Sequence, residues 1–105
     1  MAGRIVNFGS LCIDTMLTVP HFVAPGETLR ALEVQRLAGS KGLNQSLAAA
    51  RAGTAVVHVG CVGEDGTDLV ELLAAAGVEV SRVRIARDQP TGNAFVQVAP
   101  DGENA

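Results

Sequence analysis

The sequence has no tryptophan or tyrosine, and three phenylalanines are its only residues of the Phe, Trp and Tyr group. Rings that stack on nucleic-acid bases are therefore scarce. Positive charge is scarce too, since 8 lysines and arginines stand against 11 aspartates and glutamates, giving a net charge of -3. A chain of this sign does not attract a polyanion over distance. Both shortages argue against a nucleic-acid partner.

Cysteines and long apolar runs are also few. Cys12 and Cys61 are the only cysteines and form no CxxC motif, so we assign no metal ligand. We interpret both as buried free thiols of a cytosolic protein. The apolar runs are too short to span a bilayer and no secretory signal opens the chain, which predicts a cytoplasmic protein without membrane segments.

The 105 residues are enough for one small domain. Even so, 48% of the residues are hydrophobic, and the mean hydropathy is +0.28. This excess in a small domain indicates elements that are buried on more than one side. Parallel α/β sheets have this property because helices cover their faces. The composition therefore favours an α/β fold.

The apolar pattern predicts eight elements in the order β, β, β, α, β, α, β, β. The helices end at Gly53 and Gly77, where capping glycines are expected, and Asp68 with Glu71 suits the start of the second helix. The middle elements indicate an α/β sheet, and the first two and last two strands a smaller antiparallel element. Strands are predicted over 4–8, 12–19, 29–37, 55–62, 78–87 and 93–100, and helices over 42–53 and 69–77.

Two of the strands carry a further prediction. Residues 29–37 alternate only weakly, so a partly exposed strand is favoured while a helix stays possible. In the last strand, the alternating positions Ala94, Val96 and Val98 are expected to point inward.

The stretch "LAGSKGLNQS" (residues 37–46) looks like a phosphate-binding loop, but its spacing fails. A Walker loop needs its lysine after the last glycine and a hydroxyl residue next, whereas Lys41 precedes Gly42 and a leucine follows. The dinucleotide motif GxGxxG fails as well. What remains is a helix N-terminus whose N–H groups, with the Asn44 amide, can bind an oxygen-rich ligand. In the alternative interpretation, Ser40 merely caps the helix and Asn44 is solvated.

A second candidate is the stretch "GSLCID", in which Gly9 ends a strand and Asp14 follows a few residues later. Ligands of open α/β sheets lie beyond the carboxyl ends of the strands, and a carboxylate there can accept two hydroxyl protons from a vicinal diol. Asp14 lies in an apolar run, where a buried lone carboxylate needs a partner. We therefore interpret it as functional, against the alternative of a surface charge on a strand.

The remaining polar candidates are interpreted as structural. His21 lies in a proline-flanked loop and His58 inside an apolar strand, and neither has a second ligand at metal spacing. The acidic residues Glu64, Asp65 and Asp68 could suggest a metal site, but a helix start favours acidic residues in any case.

Together these stretches resemble the ribokinase-like (PfkB-type) sugar kinases and, within that family, the ribokinases. The resemblance covers nearly the whole chain, and the stretch around Lys41 is its most specific part. It implies a doubly wound α/β domain with a small β-sheet lid, of which residues 1–105 are the N-terminal, sugar-binding part. The matching segments, in chain order, are "GSLCID", "PGET", "AGSKGLNQSLAAARAG", "VGCVGEDGTD" and "PTGNAFVQVAPDGEN".

The resemblance also implies an activity. Such kinases transfer the γ-phosphoryl group of ATP to a hydroxymethyl of ribose or a similar sugar, with magnesium and, commonly, potassium as activator. Homodimers that pair through the lid sheets are common in the family, and the lid strands here would come from 12–19, 29–37 and 93–99. The implied sugar-binding residues are Cys12, Asp14, Gly39, Ser40, Lys41, Gly42 and Asn44.

Two positions depart from the family pattern. Cys12 stands where ribokinases usually have asparagine, and Ser40 stands where glycine is usual. A thiol is a poor substitute for an amide that hydrogen-bonds hydroxyl groups. The two departures count against ribose itself, whereas a related pentose or another sugar would fit. A nucleoside or sugar-phosphate kinase of the same family is a further alternative.

The length is the largest departure. In such kinases the catalytic base, the anion hole and most of the ATP and metal contacts lie further along the chain, so we assign no catalytic residue here. Because phosphoryl transfer depends on positioning and charge stabilisation at the phosphate, the 105 residues alone are expected to be inactive. The alternative from another class is a stand-alone, non-catalytic module that binds a polyol or a protein partner.

Overall fold

A computed structural model describes residues 3–105. The predicted order of eight elements is confirmed, with one short 3-10 turn added at Glu64–Gly66. The chain divides into two compact units, the first formed by residues up to Ile13 and by Ala38–Gly92, the second by Asp14–Leu37 and Asn93–Ala105. The elements are β1 (Arg4–Phe8), β2 (Cys12–Thr18), β3 (Glu33–Gly39), α1 (Lys41–Arg51), β4 (Ala55–Gly63), α2 (Thr67–Ala75), β5 (Glu79–Ala86) and β6 (Gly92–Val98).

The first unit is built on a parallel sheet with the strand order β1-β4-β5. Arg4 pairs with Ala55 at the start of the β1–β4 ladder, and Phe8 pairs with Val59 at its end. Parallel neighbours need a crossover connection, and α2 supplies the one between β4 and β5. The α/β prediction is thus confirmed for this unit.

The helices bury their apolar faces in a single core on this sheet. Leu43 and Leu47 of α1 join Leu69 and Leu73 of α2, together with valines of β4. Full burial of one such leucine is worth about 1.5–3 kcal/mol, so this core is the main source of stability in the unit. The polar Ser46 lies inside the α1 stripe with no exposed surface, which the apolar pattern did not indicate.

The helix ends agree with the sequence in one respect and differ in another. Gly53 and Gly77 both have positive φ angles, 92° and 93°, as capping glycines should. The start of α2 is different, because Gly66 is the N-cap and no side chain caps the helix. Since the 3-10 turn runs directly into α2, Asp68 lies within the first helical turn and interacts favourably with the helix dipole instead.

Asp65 of the acidic cluster is structural, as interpreted, but its role is more specific than favouring a helix start. Its Oδ1 accepts hydrogen bonds from the Thr91 backbone N–H at 2.9 Å and from the Thr91 hydroxyl at 2.7 Å. Thr91 is 3% exposed, and its Oγ1 in turn accepts the N–H of Gly63. Asp65 therefore fixes the segment before β6 against the end of β4.

The small sheet has the order β3-β2-β6. The three segments expected for the lid therefore lie in one sheet, but the wider grouping of the first two and last two strands was wrong. Strands β1 and β5 belong to the parallel sheet, because β4 pairs with both of them. In β6, Val96 and Val98 are half-buried as expected, whereas Ala94 is exposed.

The third strand begins four residues later than predicted, at Glu33, and the helix alternative for this segment was wrong. Residues 29–32 extend the preceding loop, and the Leu32 N–H donates to the Thr18 carbonyl at 2.7 Å. Weak alternation in the sequence left this boundary open, because nothing in the pattern separates an extended loop from a strand.

The interpretation of the cysteines as buried was wrong. Cys12 is half-buried and Cys61 is exposed. Side chains alternate along a strand, so Cys61 shares a face of β4 with Val57 and Val59, opposite the helices. A groove lined by these two valines and by residues of β1 and β5 opens on that face.

The loop of the second unit is organised by Glu27 of "PGET". Its Oε1 accepts the Ala24 N–H at 3.0 Å, and its Oε2 lies 2.9 Å from His21 Nε2. The backbone N–H of Ala24, and then His21, lower the pKa of the Glu27 carboxyl below its ordinary value. His21 is thus part of a loop contact, in agreement with its structural interpretation.

This contact predicts a pH dependence. Because the folded-state pKa of Glu27 is depressed, its stabilising contribution is present above the ordinary glutamate value of about 4.3 and is lost as the pH falls through the lower folded pKa. We expect the wild-type protein to be more stable than Glu27→Gln near neutral pH and the difference to vanish in acid. Urea unfolding across this range measures it, with Glu103→Gln as control. A difference that grows on acidification would contradict the assignment.

Candidate functional site

The candidate turn between β3 and α1 rests on a contact between two glycine backbones. A Cβ built on Gly42 would lie 2.6 Å from the Cα and carbonyl carbon of Gly9 and from the Ser10 nitrogen. A Cβ built on Gly9 would lie equally close to the Gly42 Cα. Real Cβ contacts are longer than this, so only glycine fits at either position. The start of α1 is therefore seated directly on the end of β1.

Ser40 joins the same two segments through its side chain. Its hydroxyl donates to the Ser10 carbonyl and accepts the Leu43 N–H at 3.5 Å. The capping role predicted as the alternative for Ser40 is thus present. Its backbone has φ 94° and ψ 154°, a region that is essentially restricted to glycine. Residues held in such regions are strained by about 1–3 kcal/mol and concentrate at binding sites.

This strain predicts an unusual order of stability between two variants. Ser40→Gly and Ser40→Ala both lose the hydroxyl contacts, but only glycine relieves the backbone strain. We expect the glycine variant to be more stable than the alanine variant by about 1–3 kcal/mol in urea unfolding. At the exposed strand residue Ser81 the same pair of substitutions should show the opposite order. A Ser40→Ala protein as stable as Ser40→Gly would contradict the strained geometry.

The other predicted residues of the turn differ in exposure. Gly39 ends β3 and is buried, whereas the side chains of Lys41 and Asn44 are exposed at the start of α1. The Asn44 N–H donates to the Ser40 carbonyl at 3.1 Å. Two of the N–H groups expected to be free, those of Leu43 and Asn44, are thus occupied within the turn. The exposed ammonium and amide side chains are the groups best placed to meet a polar ligand.

The two predicted residues of β2 lie in different environments. Cys12 is half-buried in the first unit, and a Cβ on Gly92 would lie 3.0 Å from its Sγ. Asp14 belongs to the second unit and is half-buried too. Its carboxylate forms no hydrogen bond or ion pair with any residue of 3–105. A half-buried carboxylate without a protein partner is suited to accept hydrogen bonds from a ligand.

Beneath the turn lies a buried polar chain that the sequence interpretation did not find. The Asn7 Nδ2 donates to the Gly42 carbonyl and to Ser46 Oγ, both at 2.9 Å. Ser46 Oγ lies 2.6 Å from His58 Nδ1, and His58 Nε2 lies 2.9 Å from the Gly9 carbonyl oxygen. The interpretation of His58 as structural agrees with these contacts. Polar residues at positions that the apolar periodicity assigns to the core were the available signal.

No group of three or more histidine, cysteine, aspartate or glutamate side chains in residues 3–105 could hold a metal ion. Neither described helix combines the length and the apolarity needed to cross a membrane.

Sequence comparison and structure comparison with known proteins agree with each other. The family model described as pfkB family carbohydrate kinase matches residues 2–105. The chain is 38% identical over 107 residues to the ribokinase of Haemophilus influenzae, covering 100% of this chain and 35% of that protein. It is 35% identical over 108 residues to the ribokinase of Arabidopsis thaliana, covering 99% of this chain and 28% of that protein.

Two solved structures illustrate the shared fold. The ribokinase of Cryptococcus neoformans in complex with ADP matches with a TM-score of 0.92 at 42% identity, covering 99% of this chain and 33% of that one. The Arabidopsis thaliana ribokinase complexed with ribose and ATP matches with a TM-score of 0.84 at 34% identity, covering 100% of this chain and 35% of that one.

The chain thus spans about a third of the length of these curated ribokinase relatives. The match extends over almost all of this chain, and it includes the turn, the buried core and the small sheet. The mixed α/β fold with a parallel sheet and two helices is that of the ribokinase structures. The chain belongs to the pfkB family of carbohydrate kinases.

Proposed function

We propose that the complete protein carrying this chain is an ATP-dependent carbohydrate kinase that phosphorylates a hydroxymethyl of ribose or a similar sugar. In this proposal residues 1–105 supply the sugar-binding part. The observation that carries it is the half-buried Asp14 carboxylate, which has no partner among residues 3–105. The Arabidopsis relative was solved with ribose and ATP, which supports a sugar and a nucleotide as the two ligands.

The proposed roles follow from the chemistry of each group. Asp14 accepts hydrogen bonds from two sugar hydroxyls, and Lys41 and Asn44 contact the sugar from the exposed start of α1. Gly39, Ser40 and Gly42 shape the backbone of the turn. The Cys12 thiol is a weak hydrogen-bonding group, so we propose that it contributes shape rather than a strong polar contact.

The binding sites for the nucleotide and its metal ions are proposed to lie mainly outside residues 1–105. The residues described in 3–105 do not fit a metal, since they form no cluster of suitable ligands. We propose that ATP, magnesium and any activating potassium are bound mainly by parts of the complete protein outside these residues. In this chain the sugar is bound and oriented, and the 105 residues alone do not transfer phosphate. The free thiols fit a reducing, cytoplasmic location.

The experiment is a substrate panel. The complete protein is incubated with ATP, magnesium and ribose, other pentoses, fructose or nucleosides, and ADP formation is followed. We expect turnover with a pentose, dependence on magnesium, and no turnover by the 105-residue chain under the same conditions. The absence of turnover with every sugar and nucleoside would reject the kinase. Turnover restricted to nucleosides would move the substrate within the family.

We also propose that two copies pair through the small sheet. Large apolar side chains of this unit are exposed, with Leu32 at 70%, Val34 at 62% and Phe95 at 70%. Large apolar side chains left exposed to this extent are favourable anchors for a protein interface. Light scattering of the complete protein should give a dimer, and the double variant Val34→Ser and Phe95→Ser should shift it to a monomer. A monomeric wild-type protein would exclude the pairing.

A further inference from the structure

The hydrogen bonds that link Asn7, Ser46 and His58 are mutually consistent for a neutral His58 ring. The Gly9 carbonyl can only accept, so His58 Nε2 carries the proton and donates to it. In the neutral ring Nδ1 is then an acceptor, and the Ser46 hydroxyl donates to it. Ser46 Oγ accepts one Asn7 Nδ2 proton, and the second goes to the Gly42 carbonyl.

Burial of this hydrogen-bonded network of three side chains destabilises the fold unless every polar group in it has a partner. Ser46 and His58 have no exposed surface, and a polar group left there without a partner destabilises the fold strongly. No buried side-chain nitrogen or oxygen of the described residues lacks a partner. Fully satisfied buried networks rigidify their surroundings and specify one arrangement.

Both ends of this network are hydrogen bonds to backbone carbonyl groups. One end of the network holds the Gly9 carbonyl, and the other holds the Gly42 carbonyl. These are the two residues whose backbones touch under the turn. A third link, from the Ser40 hydroxyl to the Ser10 carbonyl, joins the same two segments from above. The network therefore ties the end of β1, the start of α1 and the middle of β4 into one body.

The connected segments are placed to hold the strained backbone of Ser40. A residue in a glycine-only region persists only when its surroundings over-determine it. The network holds Gly42, two residues after Ser40, by its carbonyl. It also holds the carbonyl of Gly9, the neighbour of the Ser10 whose carbonyl accepts the Ser40 hydroxyl.

We propose that Ser46 and His58, with Asn7, are positioning residues for the sugar-binding turn. They touch no sugar. They hold the backbone of residues 40–44 in the conformation that presents Lys41 and Asn44, and they act on sugar affinity rather than on phosphoryl transfer. The effect on affinity rests on the proposed function, whereas the hold on the turn does not.

The test compares Ser46→Ala with Val56→Ala in the complete protein. Val56 is a buried core residue of β4, 3% exposed, that takes no part in the network, so its truncation controls for a general loss of stability. We expect Ser46→Ala to raise the KM for the sugar about tenfold, with kcat and the KM for ATP within about twofold. Val56→Ala should leave all three unchanged. In the double variant of Ser46→Ala and His58→Phe, the change in the logarithm of the sugar KM should differ strongly from the sum of the changes in the two single variants.

A second measurement needs no sugar. Amide hydrogen exchange at Leu43 and Asn44, whose N–H groups bond to Ser40, should be about tenfold faster in Ser46→Ala than in Val56→Ala. If Ser46→Ala does not fold, Asn7→Ala, at a half-buried edge-strand position, replaces it in both measurements.

The outcomes separate the two proposals. A wild-type protein without any turnover rejects the proposed function, and the exchange rates alone then decide whether the network holds the turn. If the wild-type protein turns over sugar, an unchanged sugar KM in a folded Ser46→Ala protein overturns the positioning role. Exchange at Leu43 and Asn44 that matches the Val56→Ala control overturns it in either case.

Discussion

Replacement of Gly42 by alanine is expected to lower the free energy of unfolding by about 3 kcal/mol or to prevent folding altogether. The added methyl carbon would lie 2.6 Å from three backbone atoms of Gly9 and Ser10. Flexible side chains can move away from such an overlap, but a strand end and a helix start cannot without separating. The separation would break the contacts of Asn7 and Ser40 that join the same segments.

The measurement is urea unfolding of the complete protein followed by circular dichroism. Gly9→Ala is expected to behave in the same way, because its methyl carbon would lie 2.6 Å from the Gly42 Cα. Gly3→Ala is the matched control, since a Cβ there meets nothing within 4 Å. Stability of Gly42→Ala within about 0.5 kcal/mol of wild type, the usual range for a surface substitution, would show that the two backbones are not in contact.

The sequence predicted most of the fold because the helices and the parallel strands repeat their apolar residues at clear periods. Leu69 and Leu73 recur at helical spacing and are both buried. Where the period was weak the prediction failed. The third strand was placed from residue 29 although it begins at Glu33, and β5 was grouped with the small sheet although it pairs with β4. Pairing partners are a long-range property that a local pattern does not contain.

The candidate site divides along the same line. The turn around Ser40 was predicted because glycines at a helix start are visible in a local stretch. Asn7, Ser46 and His58 were not connected, because Ser46 lies 39 positions from Asn7 and 12 from His58, and the three meet only after folding. Their signal was the reverse of a motif, namely polar residues at positions where the apolar period demands apolar ones. Such mismatches between sequence pattern and core packing are expected at functional or strained sites.

Asp14→Asn is expected to reduce kcat/KM for the sugar about a hundredfold or more in the complete protein. Hydrogen bonds to a charged group are worth about 1.5–3 kcal/mol each, and a loss of about 1.4 kcal/mol corresponds to a factor of ten. Loss of two such bonds to neighbouring hydroxyls therefore reaches at least a hundredfold. Asparagine preserves the shape of the side chain but presents an amide donor where one of the hydroxyl protons would lie.

The same substitution should leave the protein as stable as before. The Asp14 carboxylate is half-buried and has no partner among residues 3–105, so its charge contributes no contact to the fold that asparagine would remove. Binding sites commonly hold such groups at the expense of stability. Thermal unfolding without sugar should give an unchanged or higher midpoint, and saturating sugar should raise the midpoint of wild type more than that of Asp14→Asn.

Asp88→Asn is the matched control. Asp88 is exposed in the loop before β6, and its substitution removes the same charge from the chain. It should change neither kcat/KM nor the sugar-dependent shift. Two results would remove Asp14 from the site: a kcat/KM within about threefold of wild type, less than the loss of one charge-assisted hydrogen bond, or a fall in stability without sugar that accounts for the lost activity. Lost activity in a protein of undiminished stability separates a carboxylate that acts on the ligand from a structural one, because loss of a structural carboxylate lowers stability and activity together.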